Sequence, residues 1–303
     1  REPGDERRGF TADHLPRVNA QTQKKRLAYW EKVLAQLNEI PFAELSPEEK
    51  VNAQVFYTII QGFVNDIRFR LYEAPFTSDS FFWTDFVPRT GYSSADQYRR
   101  YIGRLRDVPR YFDEHVANMR AGLARGFTVP RVSVLGRDKT IEPYLRDDET
   151  NPLYVSFTQM PVSIPAAEQE RLRAEARTVI RERAIPAYTK LLAFIRNDYL
   201  PKARTTISAS ALPDGPAFYR WSIEKFTTLN LGPEEIHKIG LDEVARIKAD
   251  MIATMKQTGF EGTLQEFIHF LRTDPQFYAK TPRELLVHAA YIVKKADLKL
   301  KDT

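Results

Sequence analysis

Apolar residues recur at three- and four-residue spacing along most of this chain, and that period constrains the fold more than any other feature. Residues at such spacing share one face of an α-helix, so each run is a helix with one stripe to bury. Leu27, Trp30, Leu34 and Leu37 form the first stripe, within residues 20–40. The next segment, LSPEEKVNAQVFYTIIQGFVNDIRFRL, opens with a start signal: Ser46 to cap, Pro47 at the first helical position, and Glu49 to close a capping box. Val51, Val55, Phe56, Ile59, Ile60, Phe63, Val64 and Ile67 then share a face. The two segments are expected to pair as an antiparallel hairpin. Ser94 and Gln97 open a further helix, with Tyr98, Tyr101, Ile102 and Leu105 as its stripe and Gly126 as its stop. Pro109 predicts a break within it, because proline lacks the amide donor that a helix interior needs.

Residues 127–165 read differently. Pro130, Pro143, Pro152, Pro161 and Pro165 alternate with β-rich pieces such as RVSVL and LYVSF. An extended connector is expected, with a two-stranded ribbon as an option within it. Helix returns over 166–200, with a kink expected at Pro186. A helix near 215–227 follows, then a longer one from Pro233 to a stop at Gly259. Capping boxes at Thr263–Glu266 and Thr281–Glu284 predict two more, near 264–272 and 282–298. The fold class is therefore mainly α, a multi-helix hairpin array or bundle crossed by a Pro-rich connector.

One stretch has no period. DSFFWTDF places Phe81, Phe82, Trp83 and Phe86 among Thr77, Ser78, Asp79 and Ser80, between Pro75 and Pro88, and reads as a loop. That much aromatic surface on a loop either plugs the chain's own core or faces something else, a substrate or a missing domain.

Chemistry is sparse. With no cysteine among 303 residues, disulfides, thiolate nucleophiles and Cys-ligated metals are excluded. Lys and Arg exceed Asp and Glu by 45 to 40, too weak and too dispersed an excess to indicate nucleic acid. No apolar run approaches the ~20 residues of a membrane helix. The histidines are His14, His115, His237, His269 and His288, and none is followed by glutamate, so the His-Glu-x-x-His zinc motif is absent. Two Glu-x-x-His pairs, Glu234–His237 and Glu266–His269, resemble the pieces of a di-iron bundle. Both glutamates are more simply explained as helix-start residues. The acidic run RDDET reads as a solvated turn, with cation binding as the alternative. No nucleophile elbow or phosphate loop occurs.

Several stretches in order, among them LSPEEKVNAQVF, NPLYVSF, IPAYTKLLAFIRNDYLPKAR and LPDGPAFYRWSIEKFTTLNLGPEEIHKIGLDEVARIKADM, resemble the bacterial domain of unknown function 885 family. Members look like zincin metallopeptidases, mostly helical and often exported or lipid-anchored. Their zinc segment lies in a C-terminal half, beyond what this sequence contains. The resemblance thus implies that residues 1–303 are the N-terminal helical half of a longer bacterial protein, periplasmic or membrane-anchored as a lipoprotein. Within it we expect helical hairpins over 1–126, the connector over 127–165 and a second helical group over 166–303. The matching residues Pro233, Glu234, His237, Gly240 and Leu241 carry no role that the resemblance assigns. No metal or cofactor is expected in this chain, and zinc is expected in the full-length protein, a peptide hydrolase. The expected partners are the missing catalytic half and a peptide substrate, with no nucleic acid and no transmembrane segment. Phe81, Phe82, Trp83 and Phe86 are then candidates for the cleft or inter-domain wall. The rival is a self-standing helical binding module that grips its partner with the same loop, and a di-iron bundle is a third option.

Overall fold

The computed structural model describes residues 12–85, 87, 88 and 91–300. Among these the elements are helical, and the single β contact is an isolated bridge between Phe76 and Phe81. The chain divides into two units, Arg1–Asn230 and Leu231–Thr303. The sequence grouping, by contrast, places its joints after 126 and 165. The helix over 95–125, the connector and the start of the second group share one core, and the division falls at Asn230.

In the first unit, α1 (Ala20–Asn38) and α2 (Pro47–Arg68) form the expected hairpin. The Ser46 box closes as read: the Glu49 amide donates to Ser46 Oγ at 3.3 Å, and the Ser46 amide donates to the Glu49 carboxylate at 2.9 Å. The stripe of α2 departs from expectation, because only Ile60 and Val64 of it are buried.

Helix α3 (Ala95–Arg125) runs unbroken through Pro109. An interior proline costs a helix about 3 kcal/mol. Tyr101, Leu105, Val108, Phe112 and Met119, on both sides of it, are all buried, each contributing roughly 1.5–3 kcal/mol. Packing outweighs the local preference. Past the connector, α4 (Ala166–Val179) and α5 (Ile185–Phe194) are separated by a π-turn at Ile180–Ala184, where the Ile185 amide reaches the Ile180 carbonyl. A second π-turn, Ile195–Tyr199, precedes Pro201. Each widened turn sits just ahead of a proline and takes up the misfit of its missing donor, so the kink expected at Pro186 becomes a bulge.

The connector holds no ribbon. RVSVL and LYVSF contain single helical turns, Arg131–Val134 and Val155–Thr158, with a 3-10 stretch at Arg137–Leu145. Side chains absorb its backbone. Asn151, fully buried, donates to the carbonyls of Tyr144 (3.1 Å) and Arg146 (2.7 Å) and accepts from the Leu153 amide (2.9 Å). Tyr98 and Tyr101 on α3 donate to the carbonyls of Ser156 (3.0 Å) and Leu153 (3.1 Å). These bonds replace a ladder, so β propensity has no partner edge to act on. Helix α6 (Gly215–Thr227) completes the unit, with Lys225 on Asp66 of α2 at 2.7 Å.

The second unit holds α7 (Pro233–Gln257), α8 (Leu264–Thr273) and α9 (Pro282–Lys299). Phe260, Phe267 and Phe270 cluster there with ring centroids 5.1–6.4 Å apart.

Candidate functional site

The aromatic loop turns inward. Trp83 is fully buried, with Phe81, Phe82 and Phe76 around it at centroid distances of 4.9, 5.1 and 5.3 Å. Its indole N–H donates to Thr140 Oγ1 at 3.2 Å, and the Tyr188 hydroxyl donates to its carbonyl at 2.5 Å. The loop therefore ties α5 and the connector to α3. Phe82 is buried, Phe81 is partly buried against the same core, and Phe86 lies outside the described residues. Phe82 and Trp83 form part of the first unit's core, and neither offers a ring to a ligand at the surface.

That core holds one histidine. His115 lies face to face with Phe82 and edge-on to Tyr111, at centroid distances of 3.9 and 4.5 Å. Burial drives its pKa down from 6.5 to about 3; Glu114 opposes that shift and Arg110 adds to it. It is a neutral aromatic filler above that pH.

The Glu-x-x-His pairs do not converge. Glu234, His237, Glu266 and His269 are all exposed. The Glu266 carboxylate accepts from the Thr263 amide (2.7 Å) and hydroxyl (2.8 Å), which lower its pKa, so it is spent on the helix cap. The acidic run is spoken for as well: Asp147 pairs with Arg181 at 2.8 Å and Glu149 with Arg177 at 2.6 Å, while Asp148 accepts from the Thr150 amide at 2.7 Å. Among the described residues, no three His, Cys, Asp or Glu side chains come together as a metal would require.

What the surface does offer is uncovered apolar helix. At the α1–α2 corner a cavity of about 480 Å³ is lined by Leu37, Ile40, Phe42, Leu45, Ala53 and Tyr57. Val51, Val55 and Ile59 follow along α2 at four-residue steps, all exposed. In the second unit, Val244, Ile247 and Met251 make an exposed stripe on α7. Helix α9 goes furthest. Leu285, Leu286, Val287, Tyr291, Ile292 and Val293 are each 60–71 % exposed. At 100° per residue most of these positions cover a broad face of the helix, with Arg283, Glu284, His288, Lys294 and Lys295 on the opposite side, and a wide apolar face of this kind is normally covered by a neighbour.

The model of a family described as bacterial protein of unknown function, DUF885, matches residues 4–303. The chain belongs to this family. No curated protein matches it. A crystal structure of a predicted lipoprotein from Colwellia psychrerythraea shares the fold, with a TM-score of 0.70 at 20 % identity. That likeness covers 93 % of this DUF885 chain and 52 % of the crystallised one, so the chain spans about half of the structure it resembles. No helix among the described residues is long and apolar enough to cross a membrane.

The family resemblance was carried by short ordered motifs, most of which prove to be helix starts and turns. The exposed faces were hidden from sequence reasoning because a stripe on a helix looks the same whether or not a neighbour covers it.

Proposed function

We propose that this chain is the helical half of a larger, exported zinc-dependent peptidase, and that its uncovered helix faces receive the other half and wall a substrate cleft. The observation that carries the reading is α9: an 18-residue helix whose broad apolar face is 60–71 % exposed at its middle. Burying one such side chain stabilises by roughly 1.5–3 kcal/mol, so a body covering α9 gains substantially. The half-length match to the Colwellia lipoprotein supplies room for that body, and its lipoprotein character supports export. Phe82 and Trp83 of the aromatic loop take no part, since both are committed to the core.

Among the described residues, the carboxylates and imidazoles do not fit a zinc ion, because they are dispersed, capped or paired. The metal and the reacting groups are assigned to the other half, and this half shapes the cleft. The test is a zinc titration of the full-length protein with a peptide-library cleavage readout. Zinc-dependent cleavage by the full-length protein, absent from residues 1–303 alone, supports the proposal. A full-length protein that binds zinc nowhere and cleaves no peptide overturns it.

A further inference from the structure

A ladder of ion pairs joins α3 to α4 inside the first unit. Arg99 holds Glu168 at 2.6 Å and Arg106 holds Glu175 at 2.5 Å, and both pairs are 69 residues apart in sequence. A constant offset means that the two helices run parallel. One heptad further, at the same offset, stand Asp113 and Glu182. Two carboxylates occupy the rung where the pattern calls for one cation and one anion. Both are exposed, and neither has a cationic partner among the described residues.

These carboxylates line one groove of about 420 Å³ between α3 and the π-turn with α5. Its floor is apolar, built by Phe112, Val116, Ala187 and Leu191. Its far end is basic. Arg120 lies over the Phe194 ring at 4.7 Å and reaches Asp198 at 3.3 Å, and Lys190 beside it has no acidic partner among the described residues. Arg183 also lines the groove, next to Glu182, which leaves the acidic end with one net negative charge.

We propose that this groove binds a short zwitterionic peptide: its ammonium between Asp113 and Glu182, its carboxylate toward Lys190, its side chains on the apolar floor. Eight residues separate Glu182 from Lys190 along the groove, roughly 12 Å at 1.5 Å per residue. An extended tripeptide spans about the same length at ~3.4 Å per residue. The groove's volume lies within the roughly 300–1,000 Å³ of small-ligand sites. Both carboxylates line the groove, so an incoming ammonium interacts favourably with either. This inference uses residues of the first unit alone and stands or falls separately from the peptidase reading.

The experiment is a calorimetric titration of this chain with Ala-Leu-Ala, its N-acetylated form and its C-terminal amide. The free tripeptide is expected to bind saturably. Acetylation, or Asp113→Asn, weakens it by about two- to fivefold, the worth of one exposed ion pair. Lys190→Met weakens the free tripeptide similarly and leaves the amide unchanged. Both substituted side chains are exposed, and unchanged thermal melts confirm that the variants fold. Absence of saturable binding by the free tripeptide overturns the proposal. So does equal binding of all three peptides with no response to either substitution.

Discussion

The imidazole of His115 lies on the ring of Phe82, centroids 3.9 Å apart and planes 21° from parallel, and neither ring nitrogen has a hydrogen-bond partner. An ionisable group has been packed as though it were phenylalanine. Burial holds its pKa at about 3 against 6.5 in the ordinary state. A depressed pKa means that the unfolded chain takes up the proton first. Stability therefore falls as pH drops from about 6.5 toward 3, by up to about 1.4 kcal/mol per pH unit. His115→Phe keeps the stack and removes this loss. Urea unfolding at pH 7 and pH 5 should show the wild type losing stability and the variant nearly flat between them. Glu114 does not confuse the comparison, because its own pKa is lowered from 4.5 to about 2 and its contribution is lost only below that window. Identical pH dependence in both proteins would sink the assignment.

Trp83→Ala is expected to destabilise the first unit by about 3–5 kcal/mol, the usual cost of emptying a large aromatic site. The indole is fully buried, and its removal orphans the Thr140 contact and loosens three neighbouring rings. Circular dichroism through a thermal melt would register this as a large drop in Tm. A loss under about 1 kcal/mol would show that the loop is peripheral to the core after all.

Two glycines should respond with opposite signs to the same substitution. A Cβ on Gly122 of α3 would lie 2.7 Å from the Phe127 carbonyl oxygen and 2.8 Å from that of Glu73. Both are backbone atoms, so something rigid must move. Glu73 is itself buried and held by Arg125, which stiffens the site. Gly122→Ala should cost about 1–3 kcal/mol, typical of overpacking. A Cβ on Gly62 of α2 meets nothing within 4 Å. Gly62→Ala should then stabilise by up to about 1 kcal/mol, through helix propensity alone. Denaturant melts of the two variants side by side provide the check, and a shared sign would refute the steric account.

Local chemistry was readable from the sequence, and tertiary chemistry was not. The boxes at Ser46 and Thr263 form as read because both partners lie within one turn. The boxes at Ser94 and Thr281 form by half. Gln97 and Glu284 accept instead from the amides one residue earlier, Ser93 and Lys280, which sequence spacing cannot distinguish. Pro109 failed as a breaker because its helix is held by a stripe on both sides. RVSVL and LYVSF failed as strands because Asn151, Tyr98 and Tyr101 took the backbone groups that a ladder would need. The aromatic loop left two readings open, and what decided between them, His115 and Tyr188, lies far along the chain. The charged groove had a signal in the sequence all along, a repeated Arg–Glu heptad that changes to Asp–Glu. Only the offset between α3 and α4 makes it legible.

The last prediction concerns α9 and compares two proteins. Leu286 is 71 % exposed in this chain, so Leu286→Ser removes little buried area here and should change stability by less than about 0.5 kcal/mol. The same substitution in the full-length protein would insert a hydroxyl into whatever covers the helix. The lost burial and the unpaired hydroxyl together should cost about 2–4 kcal/mol. Exposed apolar surface has a second signature, since this chain should enhance the fluorescence of an apolar dye more per molecule than the full-length protein does. Unfolding curves of the four proteins, with and without the substitution, test the idea directly. If Leu286→Ser is equally mild in both contexts, α9 is solvent-facing in the complete molecule, and the proposal that it receives the missing half is lost.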